Sequence, residues 1–201
     1  MKKYELTAEF IEKLGKKLFR IKALISFGSV EAGELGGYVE KEDNLAQDGD
    51  AWVCGNAWVC GNAWVYGNAR VYGNARVYGN ARVYGNARVY DNARVYDNAW
   101  VYDNAWVCGN AWVCGNADYL LIGRIGSRFS FTTFFKNKDK GITVSCGCFL
   151  GTIAEFRAKV TDTHGNNKHA KMYNLAADMA ELQILGEEHF DKLNTNKSEP
   201  F

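Results

Sequence analysis

The stretch Ala51–Ala117 reads AWVCGN AWVCGN AWVYGN ARVYGN ARVYGN ARVYGN ARVYDN ARVYDN AWVYDN AWVCGN AWVCGN A, eleven uninterrupted copies of one six-residue pattern. Valine recurs at every sixth position from Val53 to Val113, and alanine does so from Ala57 to Ala117. A period of six fits neither the roughly 3.6 residues of a helical turn nor a heptad. It is what one short strand and one tight corner consume. Within each copy the order is small, large, branched, large, so the pleat of a strand sends Ala and Val to one side and the other two residues to the opposite side. The last two residues, Gly or Asp and then Asn, suit a corner with left-handed backbone, because Gly lacks a Cβ and Asn tolerates that region. The repeat therefore predicts a mainly β protein built on a parallel β-solenoid, with Val and Ala packed inside a narrow three-sided interior.

With three hexads per coil, residues 18 apart stack at about 4.8 Å. Eleven hexads then give between three and four coils, roughly 15 to 18 Å of solenoid by the same spacing. Stacking by 18 sorts the outward residues into ladders. Trp52, Arg70, Arg88 and Trp106 share one face; Trp58, Arg76, Arg94 and Trp112 a second; Trp64, Arg82 and Trp100 a third. Tyr72 and Tyr90, Tyr78 and Tyr96, and Tyr66, Tyr84 and Tyr102 run beside them. Such ladders stabilise neighbouring coils by aromatic and cation–π contacts. Three aromatic walls also exceed what a soluble monomer usually exposes, which makes these Trp, Arg and Tyr residues candidate binding residues and points to a protein partner or a further copy of the chain. Nucleic acid fits poorly, because the arginines are partly offset by Asp91, Asp97 and Asp103 and the whole chain carries a net charge of only +1.

Outside the repeat the chain divides into a β cap at 1–50, the solenoid at 51–125, a C-terminal ββαα module at 126–190 and a loose polar tail at 191–201. The cap is expected because a solenoid end exposes unpaired strand edges. Val39 and Leu45 are six apart, so the repeat can begin there, before an eight-residue step to Val53 that bulges out. In the module, FSFTTFF, the turn KNKDKG and ITVSCGCF predict a β-hairpin. Thr152 with Glu155 is a capping box that starts a helix ending at Gly165. A second helix is expected from about Asn167 to Leu185, with Tyr173, Leu175, Ala176, Met179 and Ala180 inward. Cys146, Cys148 and His164 are the module's candidate chemical groups, as nucleophile and base or, more simply, as thiols on one face of a strand. The six cysteines match no common zinc spacing, and cysteines of one solenoid face lie too far apart for disulfides. No metal, cofactor or catalytic residue is expected. The N-terminus has no apolar run of signal-peptide length and nothing approaches the ~20 apolar residues of a membrane span, so the expected location is the cytoplasm, with no membrane partner.

The segment FRIKALISFGSVEAGELGGYVEKEDNLAQDGDAWVCGNA resembles the lead-in region of YdcK-like β-solenoid proteins of phage and prophage type. The segment TTFFKNKDKGITVSCGCFLGTIAEFRAKVTDTHGNNKHAKMY resembles a C-terminal αβ module that accompanies such repeats in phage proteins. The hexad resembles that of left-handed β-helices, and this resemblance supplies the handedness. It implies a non-enzymatic accessory protein, a scaffold or assembly core, as a homo-oligomer, with a trimer favoured, and with a phage or host protein as a further partner. Two alternatives follow from the same residues. One is a counter-defence protein that captures a host protein or a nucleotide signal through Arg and aromatic groups. The other is a hexapeptide-repeat acyltransferase, a class that uses a histidine base, whereas here the repeat has none and His164, His169 and His189 all lie beyond it.

Overall fold

The structure, a computed structural model, describes residues 1–195, which fall into two compact units that divide between Asn116 and Ala117. The first unit opens with strands β1 (Tyr4–Lys13), β2 (Lys16–Ala23) and β3 (Leu35–Val39). β1 and β2 form an antiparallel hairpin around Leu14 and Gly15, both in the left-handed region, the geometry a two-residue hairpin turn requires. β2 then pairs antiparallel with β3.

The hexads form eleven two-residue strands: β4 (Trp52–Val53), β5 (Trp58–Val59), β6 (Trp64–Val65), β7 (Arg70–Val71), β8 (Arg76–Val77), β9 (Arg82–Val83), β10 (Arg88–Val89), β11 (Arg94–Val95), β12 (Trp100–Val101), β13 (Trp106–Val107) and β14 (Trp112–Val113). Each pairs in parallel with a strand three hexads away, as Trp52 with Arg70 and Val59 with Val77. Three walls result, β4-β7-β10-β13, β6-β9-β12, and a third in which β3 precedes β5-β8-β11-β14. The ladder is regular because each strand's backbone N–H reaches a carbonyl of the next coil, for example Arg70 to Ala87 and Arg88 to Ala105, both at 2.9 Å. Every repeat valine is fully buried, and so is the alanine column from Ala51 to Ala111.

The first coil is built from non-repeat sequence. Val39 lies opposite Val59 and Leu45 opposite Val65. The partners in these pairs stand two positions further apart in the chain than partners within the repeat, so the segment between Leu45 and Val53 carries the excess, and the solenoid makes about four turns. Its open end is plugged by Lys3, whose Nζ donates to the carbonyls of Asp48, Gly49 and Ala51 at 3.0 to 3.3 Å. The Tyr4 hydroxyl lies 2.8 Å from the carbonyls of both Glu42 and Leu45.

At the corners from Gly55 to Gly109 the left-handed residue is the Gly or the Asp, with φ of 53° to 60° at Asp91, Asp97 and Asp103, whereas Gly115 at the last corner is not left-handed. The asparagine that follows is not left-handed. Its amide instead donates to the asparagine one coil on, Asn62 to Asn80 to Asn98 at 3.2 and 3.1 Å, and the other two corners repeat the pattern. Asparagine is therefore selected at the corner for a side-chain ladder rather than for its backbone tolerance.

In the second unit β15 (Tyr119–Ile125), β16 (Ser130–Lys136), β17 (Ile142–Cys146) and β18 (Phe149–Thr152) make one antiparallel sheet in chain order. Residues 119–125 therefore do not continue the solenoid. YLLIGRI has lost the Gly-Asn corner, and its backbone pairs with β16 instead. Helices α1 (Ile153–His164), α2 (Lys168–Leu185) and α3 (Glu187–Thr195) follow. Thr152 and Glu155 form the capping box, and Gly165, with φ 55°, ends α1. Asn167 caps α2 through the amides of His169 and Ala170.

The unit's core joins Phe134, Ile142 and Val144 of the sheet to Phe156 and Val160 of α1 and to Ala170, Tyr173, Ala176, Ala177, Ala180 and Ile184 of α2. Leu175 and Met179, expected inward, are 63% and 57% exposed, because the inner face of α2 follows its alanines and Tyr173. The tail expected from Asp191 is helical as far as Thr195, and its remainder lies outside the described residues. No described helix is long and apolar enough to cross a membrane.

Candidate binding site

The solenoid ladders and the C-terminal cavity offer different chemistry. On the solenoid the tyrosines stack on one another, Tyr72 on Tyr90 at 4.9 Å and 1°, Tyr78 on Tyr96 at 5.1 Å and 9°, and Tyr66 on Tyr84 at 4.7 Å and 5°. Tyr84 continues onto Tyr102, and Trp64 covers Tyr66. Rings stacked along the coil axis occupy each other's faces, so a base or sugar approaching from solvent meets ring edges. The arginines are engaged as well. Arg76 lies over Trp58, Arg82 over Trp100, Arg88 over Trp106 and Arg94 over Trp112, with guanidinium-to-ring distances of 4.8 to 5.8 Å. Arg70 donates to the Ser29 hydroxyl at 2.9 Å.

Two of the candidate tryptophans stand on no open wall. Trp52 is fully buried between the edges of Tyr4 and Phe27, and Trp58 is buried with Leu18 and Tyr38 beneath the N-terminal strands. Both lie where the cap crosses the first coil, a long-range contact that the repeat does not encode. Trp64, Trp100 and Trp106 remain exposed and Trp112 is half-buried.

The six cysteines are free thiols. Burial pushes the Cys60 thiol up to about 11 and raises Cys54 and Cys108 as well, which makes them packing residues rather than nucleophiles.

The C-terminal unit gathers Cys146, Cys148 and His164 at one cavity of about 250 Å³. Four elements build it. The turn after β15 supplies Ser127 and Arg128, the β17–β18 turn supplies Gly147 and Cys148, α1 supplies Lys159 and Thr163, and α2 supplies Tyr173. Phe149, Phe156 and Val160 form apolar wall. Gly126, at φ 71°, lets the first turn press onto the Tyr173 hydroxyl, where a Cβ would collide. The pKa of Tyr173 is raised by burial first and then by the neighbouring Cys146 thiol. Thr132 donates to Cys146 Sγ at 3.2 Å, so this thiol is already engaged by a neighbouring strand. The His164 ring lies 5.8 Å from both the Tyr173 and His169 rings. Cys148 and Arg128 are exposed at the rim.

The sequence points to Cys146, Cys148 and His164, but Arg128, Lys159, Thr163, Ser127 and Ser130 carry no signal, since turns and a helix far apart in the chain bring them together. Among the described residues no cluster of three or more His, Cys, Asp or Glu could hold a metal ion.

Comparison with known proteins bears on the solenoid. A family model described as the YdcK beta solenoid repeat matches five overlapping windows, 63–79, 69–85, 75–90, 81–95 and 87–103. No curated protein matches the chain. The hexads of this chain thus form a YdcK-like repeat β-solenoid.

Proposed function

We propose that this is a non-enzymatic accessory protein of phage or prophage type. Its solenoid, a left-handed β-helix with three hexads per coil, is a rigid scaffold, and its C-terminal unit makes the binding contacts, between copies and with partners, in the host cytoplasm. One contrast carries the reading. The solenoid spends its aromatic, guanidinium and amide groups on itself, whereas the C-terminal unit keeps an open cavity and an exposed apolar stripe, Met172, Leu175, Met179 and Leu182, along α2. The stripe repeats at intervals of three and four residues, the spacing of a helix–helix seam, and the same helix of a second copy is its natural complement. The phage-type origin and the trimer rest on the resemblance of residues 19–57 and 132–173 and of the hexad itself.

Light scattering tests the assembly. The chain is expected to be an oligomer, three copies by analogy, and Leu175→Lys is expected to reduce it to a monomer by placing a charge in the seam. A wild-type monomer at every concentration contradicts the reading.

The cavity's two cations favour a second reading, a counter-defence protein that captures a ligand or host factor. Co-purification from infected or lysogenic cells separates the two, because a particle component travels with virions and a capture protein with its target. An acyltransferase needs a base within reach of the proton it removes, and the hexads offer no histidine.

A further inference from the structure

We propose that the cavity of the C-terminal unit binds a small organic anion, a carboxylate or phosphate carried on an apolar body. This rests on the reading that the C-terminal unit is the binding part of the chain.

Charge is the first argument. Arg128 and Lys159 line the cavity and no Asp or Glu does. Arg128 makes no ion pair with any described residue. Lys159 lies 3.0 Å from Asp162, but both side chains are largely in solvent, and such exposed pairs hold a lysine only weakly. The hydroxyls of Ser127, Ser130 and Thr163 add neutral donors around the same mouth. An anion completes this set: a guanidinium offers two parallel N–H groups to a carboxylate or phosphate, and a lysine adds a movable charge.

Shape is the second argument. The cavity, about 250 Å³, is smaller than the roughly 300 Å³ at which sites for drug-sized ligands begin, so its occupant is of small-metabolite size. The floor and walls are Phe149, Phe156, Val160 and the Tyr173 ring, which reward an apolar body and give an inorganic ion nothing to pack against. The cavity keeps its form without a ligand. Tyr173 is fixed by edge-to-face packing on Phe156 at 5.6 Å, and the Arg128 turn is seated by Gly126. A preformed site of this kind loses little to ordering when it binds.

Calorimetric titration of the full chain with benzoate, phenyl phosphate, inorganic phosphate and benzyl alcohol tests the assignment. At least one aryl anion is expected to bind about tenfold or more tightly than both benzyl alcohol and inorganic phosphate, and the better of the two identifies the head group. Arg128→Gln is expected to weaken that binding about tenfold with the melting temperature unchanged, because Arg128 is exposed and supports nothing in the fold. The bound anion is also expected to slow alkylation of Cys148 at the cavity mouth. The assignment is overturned if no probe binds, if benzyl alcohol or inorganic phosphate binds as well as the aryl anions, or if Arg128→Gln binds like wild type. Light scattering on the same samples reports on the assembly separately, so an intact oligomer that ignores the aryl anions removes the ligand and leaves the scaffold reading standing.

Discussion

Ala87 shows how closely the interior is determined by single residues. It has no exposed surface and stands between valines in a coil with room for one branched and one very small side chain. Ala87→Leu is expected to cost about 1 to 3 kcal/mol, as overpacking does in a filled core, and urea denaturation would measure it. Ionisable residues respond to the same packing. Burial raises the phenols of Tyr72, Tyr78, Tyr84 and Tyr90 and lifts Tyr96 to about 12, while Cys60 rises to about 11. Unfolded phenols and thiols lose their protons near 10 and 8.5, so above about pH 9 the folded chain holds more protons than the unfolded one and stability falls as pH rises. Lys3, held down at about 8 by burial, opposes this between 8 and its ordinary 10.5, but as one group against several. Denaturation from pH 7 to 12 is therefore expected to show a decline that begins near 9 and steepens past 10, and a flat profile would contradict the burial of these rings. At this scale the inward residues were legible, because a strict period fixes which side chains share a face. The cover on Trp52 and Trp58 was not, because it comes from Tyr4, Phe27 and Leu18, distant in the chain.

Among the elements, α1 and α2 are joined by more than their apolar faces. Arg157 reaches Asp178 and the buried Glu181, both at 2.7 Å. Removing the guanidinium leaves the Glu181 carboxylate buried without its partner, so Arg157→Ala is expected to destabilise the unit by about 2 kcal/mol, whereas Arg157→Lys retains part of the contact. Thermal unfolding of the two variants would read the difference. The start and end of α1 were readable from Thr152, Glu155 and Gly165, since caps act within a few residues. The inner face of α2 was misjudged at Leu175 and Met179. Composition alone favoured the larger apolar residues, but the close approach of α2 to the sheet admits Ala176, Ala177 and Ala180 beside Tyr173. The binding cavity was legible only in part, because turns on two hairpins and faces of two helices must meet before it exists.

For the molecule, the coil is the unit of construction. Deleting 75–92 removes one whole coil and rejoins an Asn corner to an alanine in register, so the shortened chain is expected to fold with a lower melting temperature. Deleting 75–83, half that length, leaves residues 84–86 out of phase with the hexads on either side and is expected to lower the melting temperature further than removal of the whole coil, read by circular dichroism. The return of the chain to the same wall after every third hexad can be read from scalar couplings across backbone hydrogen bonds in isotope-labelled protein. Correlations are expected from the amide nitrogen of Arg70 to the carbonyl carbon of Ala87 and from Arg88 to Ala105. Correlations at any other spacing, or amides of the valine strands that exchange at the rate of open chain, would contradict that return.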